Sequence, residues 1–209
     1  MIISVDGPAG SGKQLIAKYI AKNYHFYHLD SGILYRRLAK TIIDKKINYN
    51  NFKELTNYIN TIKNLSSRSH LSLRKESISI ASSKIASIPI IRNFIDKKQK
   101  DIVRSVSKKH KGCVIDGRDI GSKVFKNAKI KLYINVDTKI RAKRRHKQLI
   151  GQGERAIYAE ILKEIKLRDN KDKNRKHSPL VIPKGAIIID NSSNFKITKN
   201  QIKKVLTNI

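Results

Sequence analysis

Ile2-Ile3-Ser4-Val5-Asp6-Gly7-Pro8-Ala9-Gly10-Ser11-Gly12-Lys13 is the stretch on which the fold turns. An apolar run opens it, a glycine-rich turn follows, and an amphipathic segment over 13–23 continues it. Gly7 to Lys13 fits the G-x-x-x-x-G-K pattern of a phosphate-binding loop. Its glycines let successive backbone N–H groups curl around an anion, and the helix behind aims its unsatisfied N–H groups at the same point. Lys13 adds a cation able to follow a moving phosphate. The next position departs from the pattern. A Ser or Thr hydroxyl there would hold Mg2+, and this chain has Gln14 and then Leu15. The candidate triphosphate contacts are therefore Gly7, Pro8, Ala9, Gly10, Ser11, Gly12, Lys13, Gln14 and Leu15, with the positioning of a metal left open.

Further along, short apolar runs without strict alternation sit at 25–29, 113–115, 130–136 and 186–189. Together with 2–5 they predict five strands buried on both faces, as in a parallel sheet. Helical periodicity predicts helices over 13–23, 32–45, 51–63, 91–110, 138–149, 155–172 and 198–207. Strands separated by helices imply an α/β layered fold. Residues 70–80 read differently: two alternating segments flank Arg74-Lys75, which predicts a hairpin outside the main sheet. The expected organisation is a core of 1–46 and 91–209 with a small insert at 47–90. A basic loop near 150–155 contains Gly151 and Gly153.

With 46 Lys+Arg against 16 Asp+Glu the net charge is +30. Such a charge points to a polyanion, a nucleic acid or a membrane surface. A blander cause competes. Lys (33), Ile (34) and Asn (16) fill 83 of 209 positions, and a bias toward A/T-rich codons raises all three together. The excess is spread along the whole chain, and scattered tyrosines offer no stacking platform for single strands. Nucleic acid is therefore not the expected partner. The 13 arginines are the more informative subset, because guanidinium makes planar, bidentate phosphate contacts that an ammonium cannot. No apolar run approaches the ~20 residues of a membrane span. A single cysteine, Cys113, excludes a disulfide scaffold. Met1 leads directly into a strand-like run rather than a secretory signal, so the cytoplasm is the expected compartment.

A donor phosphate site calls for a second anion site opposite it, and Arg36, Arg92, Arg118, Arg168 and Arg175 are available. VDGPAGSGK at 5–13, LDSGILYR at 29–36, IDGRDIG at 115–121 and IKLRDNKDKNRKHSPL at 165–180, in this order and spacing, resemble the bacterial cytidylate kinases. The resemblance runs from Ile2 to about Asp190. The first block is shared by many NTPases, and the later three are far more specific. The resemblance implies a P-loop kinase fold whose insert is a CMP-binding subdomain with antiparallel strands and whose core carries a short lid at about 149–157. It implies ATP and CMP or dCMP as substrates, Mg2+ bound with ATP, and a monomer. It implies that Ser31 and Arg36 contact CMP, the arginine at its phosphate. Ser83 and Arg92 would read the cytosine ring, with Arg118 and Asp119 at the same site, and Arg168 and Asp172 would hold the sugar. Arg175 would reach the phosphates during transfer, so that Lys13, Arg118, Arg168 and Arg175 are the expected catalytic groups. By analogy with other monophosphate kinases, Asp116 would orient Mg2+ through water and Arg144 would stack on adenine.

The residues themselves carry part of this. Arg168, Asp172 and Arg175 at i, i+4 and i+7 fall on one helical stripe, which also fits a surface ion-pair ladder. Arg118-Asp119 follows a strand's carboxyl end, where open α/β sheets bind ligands, though Asp116-Gly117 is also turn chemistry. Asp30-Ser31-Gly32 can cap a helix as well as meet a ligand. Arg144 lies in a basic run that suits a solvated face. Three other functions stay open at this point: a kinase for UMP or AMP, a nucleotide-binding pseudoenzyme motivated by Gln14-Leu15, and a basic nucleic-acid-binding protein.

Overall fold

The computed structural model describes residues 1–207. Five parallel strands form one sheet in the order β2-β3-β1-β4-β5: β1 Ile2–Asp6, β2 Tyr27–Asp30, β3 Cys113–Gly117, β4 Ile130–Asn135 and β5 Ile187–Asp190. β1 lies at the centre, paired with β3 from Ile2↔Cys113 and with β4 from Ile3↔Ile130. β3 is buried at all five positions, and its first three residues read as a short apolar run without alternation.

Alternation sorts successive β3 side chains to opposite faces. Val114 joins Ile3, Val5, Leu132 and Ile134 in the layer covered by α1 (Lys13–Tyr24) and α8 (Phe195–Leu206) through Ile16, Ile20, Ile202 and Leu206. Cys113 and Ile115 join Leu29 under α2 (Ser31–Asp44) and α5 (Pro89–Val106), which supply Leu34, Leu38, Ile91 and Ile95. α3 (Phe52–Thr61) and α4 (Glu76–Ile85) complete this side. α6 (Thr138–Gly151) and α7 (Tyr158–Asn174) stand together beside the phosphate loop. No helix among the described residues is long and apolar enough to cross a membrane.

The five strands and the parallel α/β architecture match the sequence expectation, with boundaries shifted by a few residues. The insert does not. Residues 71–74 form a 3-10 turn and 76–85 are α4, so the antiparallel strands expected there are absent from the described residues. Ser77-Ile78-Ser79-Ile80 alternates on paper, yet Ile78, Ser79, Ser82 and Ile85 are the buried positions and Ile80 is half exposed. That is a helical stripe in which small serines stand where large apolar residues usually signal one. Two smaller differences concern the site. α6 continues to Gly151, which confines the connecting loop to 152–157. α7 ends at Asn174, so Arg175 is its cap in extended backbone rather than a third helical residue of the stripe.

Candidate active site

The phosphate loop is held from several sides. Gly10 (φ 70°) and Gly12 (φ 83°) occupy the left-handed region, where a side chain is strained. A Cβ on Gly12 would also collide with Asn191. Asn191, 5% exposed at the end of β5, donates Nδ2 to Ser11 O (2.8 Å) and accepts from Thr198 Oγ1 (2.8 Å). Lys13 Nζ lies back on its own loop, donating to Pro8 O (3.0 Å). Desolvation and the nearby Arg118 push the Lys13 ammonium down to about 7. Asp6, buried just before the loop, accepts from the backbone N–H of Ile120 (2.8 Å) and Gly121 (2.7 Å). Its carboxyl is pushed up to about 6, chiefly by burial. The π-helical turn Ile120–Val124 presents those two amides, and nothing in the sequence announced it.

Gln14 takes a partner that a loop hydroxyl would not reach. Its Nε2 donates to Asp30 Oδ2 (2.5 Å), and Asp30 also caps α2 by accepting from Ile33 N (3.3 Å). The link joins the start of α1 to the start of α2, and Leu15 is half exposed beside it. Across the strand ends, Asp30 and Asp116 are paired in register. His28 Nε2 donates to Asp116 Oδ1 (2.6 Å), and Ser31 Oγ donates to the Asp116 carbonyl (2.7 Å).

Opposite the loop, Arg118 donates Nη1 to Gly7 O and Nε to Asp172 Oδ2, both at 2.7 Å. Arg168 reaches Ser79 Oγ of α4 at 3.3 Å. Burial and the charges of Arg118 and Arg36 hold the Arg168 guanidinium below its usual value. Burial opposes ionisation of Asp172, but Arg118, Arg175 and Arg168 outweigh it and keep its carboxyl below the ordinary range. Arg175 lies 3.8 Å from both Asp172 and Asp119. Behind this group Arg92, 2% exposed, pairs with Asp119 (2.5 Å), donates to Ala86 O (2.8 Å) and stands 5.6 Å from the Tyr35 ring. Burial raises the Tyr35 phenol, and its hydroxyl finds no partner among the described residues.

Arg36, Arg92, Arg118, Asp119, Arg168, Asp172 and Arg175 lie close enough to interact with one another, and Arg118 joins the group to the loop. Ser83 is half-buried in the last turn of α4, where Ser79 rather than Ser83 touches an arginine of the cluster. Arg144 spreads its guanidinium over three carbonyls, of Asn191 (2.7 Å), Ser192 (3.0 Å) and Ser193 (2.9 Å). The buried arginine of the same helix is Arg141, which donates to Ala9 O at 2.9 Å. Sequence reasoning missed it because Arg141 to Lys147 looks like one solvated basic run. Asn191 and Asp6 were missed as well, since a lone amide or acid carries no spacing pattern. No cluster of three or more His, Cys, Asp or Glu able to hold a metal occurs among the described residues.

Comparison with known proteins places the chain in a family. The cytidylate kinase family model matches residues 3–209. A cytidylate kinase of Rickettsia akari is 40% identical over 190 residues, covering 91% of this chain and 84% of its own. One from Bartonella henselae is 38% identical over 191 residues (91% and 86%), and one from Fusobacterium nucleatum is 35% identical over 203 residues (92% and 90%). Among solved structures, the Thermus thermophilus protein TT1252 superposes with a TM-score of 0.52 at 12% identity, covering 100% of this chain and 97% of that one; this likeness concerns the fold alone. A family match along almost the entire length, with relatives this similar over about nine-tenths of the chain, means that the chain belongs to the cytidylate kinase family.

Proposed function

We propose that the protein transfers the γ-phosphoryl group of ATP to the 5′-phosphate of CMP or dCMP, as a cytoplasmic monomer. The observation that carries this reading is a set of part-buried cations, Lys13, Arg168 and Arg175, whose charged forms are disfavoured by burial and by neighbouring arginines. Arg118 and Arg36 repel Arg168, Arg92 repels Arg175, and Arg118 helps drive the proton off Lys13. Anions entering this space relieve all of these repulsions at once. In this reading one set of phosphates lies on the loop and the other on the arginines.

In this reading the loop amides and Lys13 hold the β- and γ-phosphates, while Arg36, Arg118, Arg168 and Arg175 bind the acceptor and transferring oxygens. The transition state of phosphoryl transfer is loose, so alignment and charge do most of the catalysis. The acceptor phosphate is already ionised, and no general base is needed. Ser31, Ser83, Arg92 and Asp119 would form the base and acceptor side, and Asp172 the sugar contact. The segment 47–90 would serve as the CMP subdomain, and the 152–157 loop would close over ATP to exclude water. Arg144 is held flat by three carbonyls, which suits a stacking surface for adenine.

The donor set fits a Mg2+ that arrives with ATP, since Mg2+ keeps several waters and needs only one or two carboxylates beside the phosphates. Asp116, at the end of β3, would hold it through water. The ion would supply charge neutralisation at the β- and γ-phosphates. The deciding experiment is ADP formation from ATP and Mg2+ with CMP, dCMP, UMP and AMP offered separately. Turnover favouring CMP and dCMP is expected. Binding of ATP and CMP without transfer, or a preference for UMP or AMP, overturns the assignment.

A further inference from the structure

Arg118 and Arg141 do the same mechanical task at two points. Each has one hand on a carbonyl of the phosphate loop and the other on a carboxylate of α7. Arg118 bridges Gly7 O to Asp172. Arg141 bridges Ala9 O (2.9 Å) to Asp169, with Nη1 to Oδ1 at 3.0 Å and Nη2 to Oδ2 at 2.5 Å. The two carbonyls are two residues apart in the loop, and the two carboxylates are three residues apart on the helix. Two such bolts prevent both sliding and rotation of α7 against the loop.

Arg141 has nothing left over for a ligand. Beyond the bonds to Ala9 and Asp169, its Nε donates to Val136 O (3.1 Å) and its Nη2 to Thr138 Oγ1 (2.8 Å). All five of its N–H donors are thus engaged within the protein. It is 3% exposed and Asp169 is 9% exposed. Asp169 directly follows Arg168 and stands three residues before Asp172. One residue along a helix is a rise of about 1.5 Å, so any slip of α7 carries Arg168 and Asp172 away from the loop by comparable distances. We propose that Arg141 and Asp169 are a positioning pair: without touching either nucleotide, they set the separation between the donor loop and the acceptor groups of α7.

The proposal rests on the kinase reading above, and its test separates the two. Turnover of CMP is measured for the wild type, Asp169→Asn, Arg141→Lys and the double variant. Rates are expressed per site competent to bind a non-hydrolysable ATP analogue. The expected result is a fall in kcat of about 10²-fold in each single variant, the scale set by a misplacement near 1 Å. KM for ATP and for CMP should stay within about threefold, and the double variant should lose little more than either single one, as for two ends of one contact. ATP hydrolysis without CMP should rise relative to transfer. Should Asp169→Asn fail to fold, Asp169→Glu keeps the charge and lengthens the bolt, and the same loss of kcat at near-normal KM is expected. An active wild type whose variants retain kcat per competent site within threefold overturns the positioning role and leaves the kinase. Additive losses in the double variant overturn it too. A wild type that makes no CDP overturns the kinase reading, and the pair's role with it.

Discussion

Seven consecutive residues, Gly7 to Lys13, make the proposed donor loop, whereas the proposed acceptor groups come from scattered stretches of chain. Arg36 stands in α2, Arg92 in α5, Arg118 after β3, and Arg168 and Asp172 in α7. The donor side works largely through backbone N–H groups, which cost no side-chain entropy and depend on a few glycines for their curvature. The proposed acceptor side would work through guanidinium groups that must be desolvated and held apart against mutual repulsion. A loop of consecutive residues has one indispensable cation, and a dispersed cluster shares its charge. Removing Lys13 should therefore do more harm to the chemistry than removing any one arginine. We expect Lys13→Met to lower the single-turnover rate about 10³-fold, with CMP affinity nearly unchanged. Equal loss of CMP binding would mean that the two sides are not separable.

The second test attacks the acceptor side through its support. Arg92 and Asp119 are both almost fully buried. Asp119→Ala leaves a buried guanidinium without its carboxylate, a change that costs about 3–5 kcal/mol. Urea unfolding should show that loss, and CMP binding should weaken with it. Replacing both residues with apolar ones of similar size should restore most of the stability and none of the CMP binding. Recovery of both together would make the pair a packing feature rather than part of the acceptor site.

The same contrast explains what could be read from the sequence. The sheet was legible because buried strands leave short apolar runs between helical periods, and the donor loop because its residues are contiguous. Among the arginines, Arg118 and Arg168 left signals of their own, a strand's carboxyl end and a helical stripe, whereas Arg36 and Arg92 were singled out by resemblance, since nothing in either alone indicates where it points. Arg141 was hidden within a run of surface-like basic residues, although it is among the most buried of the arginines. The insert was misread because buried Ser79 and Ser82 removed the large apolar residues by which a helical stripe is recognised. Tertiary packing of α4 against α2 and the turn before it decides that segment.

A third test follows the proton on Lys13. Its folded value is about 7 against an ordinary 10.5. Between these values the unfolded chain holds a proton that the folded one lacks, so this group makes the free protein more stable as pH rises across that window. Phosphates beside Lys13 favour its charged form. ATP binding should then take up close to a full proton at pH 8 and about half at pH 7. Calorimetry in buffers of different ionisation enthalpy measures the uptake, with Lys13→Met as the control. The same uptake in Lys13→Met would move the effect to the acceptor arginines or to the nucleotide itself.

The smallest effect is expected at Gln14, where donor and acceptor sides touch. Its amide donates to Asp30, which also caps the helix bearing Ser31 and Arg36. A hydrogen bond to a charged group contributes about 1.5–3 kcal/mol when buried, and partial exposure of Gln14 reduces this to about 1 kcal/mol. Gln14→Ala should lower the urea midpoint accordingly. It should change kcat by no more than about threefold, because the bond fixes a helix start rather than a reacting phosphate. Gln14→Ser separates two accounts of the departure from the loop pattern. A gain in Mg2+ affinity for the ATP complex would show that the hydroxyl was missed. A loss of stability equal to that of Gln14→Ala, with Mg2+ dependence unchanged, would show that the position has exchanged metal contact for a brace between α1 and α2.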